Sequence, residues 1–382
     1  MFFVKAIAVV VLSIGVAGPL GVTADAVTPP VLIGLVEAGG PGGDTVAQGA
    51  ADALRRFNST GGVDGRPLRL IRLAAPEPWR DGATRIAELV FRHDLTALIG
   101  PADRGGAHVA AQIATRKRIP LIVLSPEGAL TRVKAPWIFR GVPDDTEQAR
   151  ALLRWAGREE PTRSALIAVP GDRAGRGRST ALARVCDERG VEVAAVIEPG
   201  RTDLSSLPRS DLLLLWLGPA GALDLLRDLE RLGRTPRRVL GSTRLDVAGF
   251  PGSIPRGIES FALPRLRSAD DGGADSADLL GRLAHDAVWA VVAAARRYGT
   301  TPGAIRSGLL DIGAIAGWSG EFGFDSTGNR VGEIPIGILR DGRLLPHRAK
   351  GVAQPAPVHG TAGWPGPESR AKLKRTVVRK RG

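Results

Sequence analysis

The sequence predicts an α/β protein built as two doubly wound, Rossmann-like domains, each a parallel sheet flanked by helices. Three observations carry this. At 382 residues the chain is too long for one compact core. Residues 31–73 form a strand–helix–strand unit, the building block of a parallel sheet. Past residues 136–148 the same alternation of short apolar runs and amphipathic stretches starts again, and such alternation is what right-handed crossovers in a parallel sheet produce.

In the first unit the apolar run 31–36 has the length and branched character of a buried strand. A glycine-rich turn follows at 39–43, after which Asp44 or Thr45 is placed to cap a helix. Val46, Ala50, Ala53, Leu54 and Phe57 recur at helical spacing and give that helix one apolar face. Asn58 and Gly61-Gly62 stop it, an Asp64-Gly65 turn reverses the chain, and residues 68–73 form the next strand. Residues 83–93 are helical with Ile86, Leu89 and Val90 on one face. A short strand at 96–99, a helix at 105–116 and a buried strand at 119–124 complete this half.

In the second half the strands are 165–169, 191–197, 211–217 and 239–241, with helices at 176–189 and 222–232. The run Asp211–Leu217 (DLLLLWL) is the most buried of these strands. Residues 258–263 lead back toward the first half, and a helix opening at 284–288 points Ala287, Val288, Val291 and Ala295 inward. Asp325 to Gly328 is a tight turn whose residues serve backbone geometry. A last strand spans 334–339.

Residues 1–26 read as a secretory signal: Lys5 in front, an apolar stretch 6–16, and Ala24-Asp25-Ala26 as an A-x-A cleavage site. An uncleaved membrane anchor is the alternative, although Gly18-Pro19 breaks the run. The formal charge of +13 invites a nucleic-acid reading, but eight of those charges lie beyond residue 347. That end is rich in Pro and Gly, the composition of a disordered tail. It is either a solvated extension or a tether to an anionic surface; no nucleic-acid partner is expected. Cys186, the single cysteine, forms no intramolecular disulfide and reads as a small buried apolar residue. No cofactor and no metal site is expected, since CxxC pairs are absent.

The order of an Ile-Gly strand, a Gly-rich turn, a helix ending in Phe57-Asn58, and then Gly61-Gly62-Val63-Asp64-Gly65-Arg66-Pro67-Leu68 resembles the start of periplasmic binding proteins for branched-chain amino acids and related small molecules. These are the extracytoplasmic receptors of ABC importers. Later landmarks resemble the same family: residues 98–131 with their ligand loops, Phe139-Arg140 followed by Asp145 and Gln148, and the hairpin 317–328 with Phe324-Asp325 and Gly328. The resemblance spans residues 31–346. It implies the type I periplasmic binding protein fold, two lobes joined by a three-strand hinge, with residues 27–143 plus 266–325 in lobe 1 and 144–265 plus 326–346 in lobe 2. It also implies a monomer in the periplasm, cleaved after Ala26, that closes on a small amino acid, amide or organic acid and passes it to ABC permease subunits.

Ligands of open parallel sheets bind off the carboxyl ends of the strands, where helix N-termini favour anions. This selects the loops at 37–44, 102–106 and 125–128 on the first lobe and 171–175, 218–221 and 242–244 on the second. The candidates there are Glu37, Arg104, Gly105, Gly106, Ser125, Glu127, Gly128, Asp172, Arg173, Gly218, Thr243 and Arg244. The family's amino-acid-binding pattern is not reproduced. Arg104 stands where members place a small hydroxyl residue, and Glu127, Gly128 and Ala129 replace a small-then-hydroxyl pair. Pocket aromatics are replaced near Ala174 and Gly218, and the acid for a ligand ammonium falls near Thr243. Leucine or a close relative is therefore not the expected ligand. Gly105 and Gly106 offer backbone N–H groups to a carboxylate. Arg104 either meets an anionic ligand or pairs with Asp103 or Glu127 and closes the site without one.

An enzyme is disfavoured: GxGxxG after a strand, GxxxxGK[ST] and GxSxG are all missing, and His93 and His285 have no acid–nucleophile partner at a recognisable spacing. A sensor or regulator of the same fold, or a member that has lost its ligand, are the other readings.

Overall fold

The computed structural model describes residues 29–37, 41–74, 81–132, 135–247, 249–255, 257–267 and 278–346. The expected signal segment, the basic tail and all of 267–277 except Arg267 lie outside them.

The first sheet is made by β1 (Val31–Glu37), β2 (Leu68–Ala74), β3 (Ala97–Ile99), β4 (Leu121–Val123) and β5 (Ile138–Arg140). They are parallel, in the order β2-β1-β3-β4-β5. Between them run α1 (Pro41–Ser59), α2 (Ala83–Arg92), α3 (Arg104–Lys117) and the single turn α4 (Ala129–Arg132). The second lobe opens with α5 (Asp145–Glu159) and continues through β6 (Ser164–Ala168), α6 (Arg173–Asp187), β7 (Glu192–Ile197), β8 (Leu212–Leu215), α7 (Pro219–Arg231), β9 (Arg238–Gly241) and β10 (Ser260–Pro264). The chain then returns as α8 (Leu279–Tyr298), α9 (Pro302–Asp311) and a small antiparallel sheet of β11 (Ile315–Gly317), β12 (Gly320–Phe324) and β13 (Arg330–Val331). It ends on β14 (Ile336–Arg340) and β15 (Arg343–Pro346), which extend the second sheet to the order β15-β14-β10-β9-β8-β6-β7.

Apolar clusters cover both faces of each sheet, as a doubly wound arrangement requires. In the first lobe α1, α8 and α9 cover one face, with Val46, Ala50, Leu54, Val288, Val291 and Ile305 buried. On the other face α2 and α3 bury Ile86, Leu89, Val90, Ala107 and Ala110. In the second lobe, the faces of β6, β8 and β9 are covered by α5 and α6 on one side and by α7 on the other. Trp216, just past β8, is fully buried, and so is Cys186, whose thiol burial pushes up to about 11.

The lobes are joined by three passages that are hydrogen-bonded to one another. Arg140 N–H donates to Gly328 O at 2.8 Å, tying the first passage to the third. Arg265 N–H donates to Pro335 O at 2.8 Å, tying the second to the third. The buried Arg330 lies over Phe322, 4.4 Å from the ring centroid, and donates to Gly141 O at 2.9 Å. Desolvation lowers its pKa to about 10. Arg282 on α8 reaches across to Asp246 at 3.0 Å and also holds Leu266 O of the second passage at 3.1 Å.

Several helix starts lie upstream of the positions that periodicity gives. Helix α1 begins at Pro41, so the Gly-rich turn is partly helical and Asp44 sits in its first turn instead of capping it. Helices α3, α6 and α8 begin at Arg104, Arg173 and Leu279, with Asp103, Asp172 and Asp278 as their caps. Helices α4, α5 and α9 and strands β5 and β15 have no counterpart among the elements expected from periodicity.

Candidate functional site

The strand order changes direction between β1 and β3 in the first lobe and between β6 and β8 in the second. Ligand crevices open at such points, off the carboxyl ends of the strands. Between the lobes lies a cleft of about 150 Å³. Lobe 1 contributes Arg104 from the start of α3 and Glu127, Gly128 and Arg132 from the β4–α4 turn. The first passage supplies Asp144, and the start of α5 supplies Asp145 and Thr146. One face of α6 supplies Arg173, Ala174, Gly177, Arg178 and Ala181.

Three helices present their first turns here, and each has already used its cap. The side chains of Asp103, Asp144 and Asp172 accept from Gly106 N–H at 2.7 Å, Glu147 N–H at 2.8 Å and Gly175 N–H at 2.6 Å. Such caps satisfy donors that a helix start leaves open. The Gly106 N–H, offered by sequence to a ligand carboxylate, is thus held by Asp103.

The carboxylates of the cleft are all engaged. Glu127 pairs with Arg104 at 2.8 Å. Asp144 meets the buried Arg140 at 3.4 Å. Asp145 takes Arg178 Nε at 2.9 Å on one oxygen, and Arg244 Nη1 and Trp216 Nε1, both at 3.1 Å, on the other. Arg132 and Arg173 line the same cleft and are exposed. Neither guanidinium has a hydrogen bond or ion pair among the described residues.

Of the candidates from sequence, Arg104, Glu127, Gly128 and Arg173 line the cleft, and Arg244 stands behind its wall on Asp145. Of the two roles open to Arg104, the structure shows the pair with Glu127. Glu37 is elsewhere: it is buried at the end of β1 and held by Arg72 of β2 through two contacts, at 2.6 and 3.1 Å. Ser125 and Thr243 are buried, and the Thr243 N–H donates to Gln148 Oε1 at 2.9 Å. Gly105, Gly106, Asp172 and Gly218 sit in the first turns or caps of α3, α6 and α7 without lining the cleft. Reasoning by loop position missed Arg132, Asp144, Asp145 and Arg178. A signal for part of this was present: Ala174, Gly177 and Ala181 fall on one helical face that carries no large apolar residue.

Among the described residues no group of three or more His, Cys, Asp or Glu side chains is placed to hold a metal ion. Among them, too, no helix is long and apolar enough to cross a membrane.

A family model described as periplasmic binding protein matches residues 30–252. No curated protein matches the sequence. Among solved structures, an ABC transporter substrate-binding protein from Desulfitobacterium hafniense in complex with Leu is similar, with a TM-score of 0.71 and 20% identity, over 83% of this chain and all of that one. The branched-chain amino acid transporter substrate-binding protein LivJ from Streptococcus pneumoniae, in complex with isoleucine, gives a TM-score of 0.68 at 18% identity, covering 82% of this chain and 97% of that one. A solute-binding protein of an ABC transporter from R. palustris in complex with benzoate gives 0.66 at 17%, covering 83% and 95%. At these identities the likeness concerns the fold.

Proposed function

The chain belongs to the periplasmic binding protein family, and from that premise we propose that it is an extracytoplasmic solute receptor that closes on a small polar molecule and delivers it to an ABC importer. The observation that carries this reading is the polar cleft lined from both lobes and bordered by the first of the three passages that join them. A molecule touching both walls binds the shut form better than the open one, so binding and closure are one event. The similar structures are transport receptors with small molecules bound, an amino acid in two cases and an aromatic acid in another. Export through residues 1–26 with cleavage after Ala26, lobes divided at residues 143/144, 265/266 and 325/326, and a monomeric, non-enzymatic role belong to the same proposal.

The test is a thermal-shift screen of the chain from Val27 against amino acids, dicarboxylates, aromatic acids, amides and polyols, with small-angle scattering on any hit. A ligand at about a hundred times its Kd adds roughly 2.7 kcal/mol, a shift of several degrees. The receptor reading expects a hit and a smaller radius of gyration in its presence. A hit with no compaction, or no hit in any class, rejects it. Mass spectrometry of the exported protein reads the cleavage site directly.

A further inference from the structure

Resting on that receptor reading, we infer that the ligand is a small dicarboxylate without an ammonium group, gripped across the cleft by Arg132 of lobe 1 and Arg173 of lobe 2. The charges of the lining select it, in a site that must lose water when it shuts.

A ligand ammonium needs a carboxylate. The cleft holds Glu127, Asp144 and Asp145, and each already has a guanidinium partner: Arg104, Arg140, and Arg178 with Arg244. Asp145 also accepts the Trp216 indole N–H, so three donors already meet its two oxygens. A zwitterion entering here finds no acid free to receive it.

The cations are in excess. Arg132 and Arg173 have no hydrogen bond or ion pair among the described residues, and both line the cavity. Gly128 makes room for the first: a Cβ there would fall 2.6 Å from Arg132 Nη2 and 3.1 Å from Asp144 Oδ2. The guanidinium therefore lies across the backbone of the β4–α4 turn, on the cleft side. Arg173 stands in the first turn of α6, where the helix field also favours an anion.

Closure takes both guanidiniums out of bulk water. A desolvated charge without a partner is costly, and one carboxylate between them would leave half of that cost standing. Two carboxylates, each matched to one planar fork, meet both charges in bidentate geometry. The two arginines come from opposite lobes, so the same contacts that neutralise them also hold the lobes together.

Isothermal titration calorimetry of the chain from Val27 tests this with succinate, glutarate and phthalate against butyrate and benzoate, succinamide, and leucine. A diacid should bind at least tenfold more tightly than its monoacid, and binding should weaken as salt is raised. Arg132→Gln and Arg173→Gln should each weaken the diacid at least tenfold. Neither side chain makes a contact that folding needs, so the ligand-free melting temperature stays unchanged. Tightest binding by leucine, succinamide or a monoacid overturns the inference and leaves the receptor reading standing. So does a diacid affinity within twofold of wild type in both variants. Absence of binding by every class removes the receptor reading and this inference with it.

Discussion

Replacing Arg140 with methionine tests how the hinge is held. The side chain is 1% exposed and is the node of a network spanning lobe 1 and the third passage. Nη1 donates to Thr131 Oγ1 at 2.6 Å, Nη2 to Asn329 Oδ1 at 2.7 Å, Nε to Val142 O at 3.2 Å, and Nη2 meets Asp144 Oδ2 at 3.4 Å. Methionine has a similar reach and no donor. The Thr131–Asn329 bond at 2.6 Å survives, and Asp144 keeps the Glu147 N–H. Two short charge-assisted bonds disappear, each worth roughly 1.5–3 kcal/mol. Against this, a cation is no longer buried, and that burial is already enough to lower its pKa. The balance is a loss of about 3 kcal/mol, at the low end of what removing one partner from a buried charged network costs. For a unit of this size that is roughly 6–12 °C in Tm. Urea unfolding of the ligand-free protein, followed by circular dichroism, reads it as a lower midpoint at unchanged slope. Lysine keeps the charge but not the fork, and Arg140→Lys should lose about half as much. A loss below about 1 kcal/mol in Arg140→Met would show that the network does not hold the hinge.

Gly49→Ala attacks the crossing of α1 over α8, since a Cβ there would lie 1.9 Å from Gly281 O. Backbone must move, and a loss of about 3 kcal/mol is expected; an unchanged melting temperature would mean the helices do not approach this closely. Cys186, buried and with its thiol pKa near 11, should be inert to a disulfide reagent at pH 8 in the native protein and react at once in guanidinium; fast native reaction contradicts its burial. Asp325 is held below the usual carboxylate range: burial pushes its pKa up, but hydrogen bonds from the Thr327 and Asn329 side chains and backbone outweigh that. Its stabilising contribution is present above an unfolded pKa of about 3.9 and is lost as pH falls through the lower folded value. Asp325→Asn should therefore flatten the fall in Tm below about pH 4; identical acid profiles would remove Asp325 from the account.

The strands were legible because their apolar runs are short, branched and bounded by turn residues, and 31–36, 165–169 and 211–217 all fall on strands of the structure. Helix starts were less so, for one shared physical reason. Asp103, Asp172 and Asp278 cap α3, α6 and α8, and the residue three places on is Gly106, Gly175 or Gly281. Glycine in a first turn reads as loop by propensity. Here it is forced by close approach: a Cβ on Gly175 would lie 1.7 Å from Pro170 O, and one on Gly106 would lie 2.9 Å from Pro101 Cγ. Helix α9 carries a Thr301-Pro302 start signal but buries only Ile305 and Leu309 among its large apolar residues, too few for periodicity to single it out. In the site, residue types at the loops were readable and their pairings were not. Arg72 holds Glu37 across 35 positions, and Arg178 and Arg244 reach Asp145 across 33 and 99. Only the fold brings such partners together.

Those pairings bear on how the protein opens. Glu127 is neutralised by Arg104 within lobe 1, and Asp145 by Arg178 and Arg244 within lobe 2. None of these pairs ties one wall of the cleft to the other. The lining cations without a partner among the described residues are Arg132 on one wall and Arg173 on the other, and without a ligand these two repel, weakly where water screens them. The buried Arg282–Asp246 pair at 3.0 Å links α8 to the second lobe outside the cleft lining and does not depend on what the cleft contains. Closure then has a standing term from the hinge and a switched term from the ligand, and only the second distinguishes occupied from empty. A dianion changes the sign of the switched term from repulsion to attraction. A neutral molecule leaves it untouched and shifts the open–shut balance only by its own contacts.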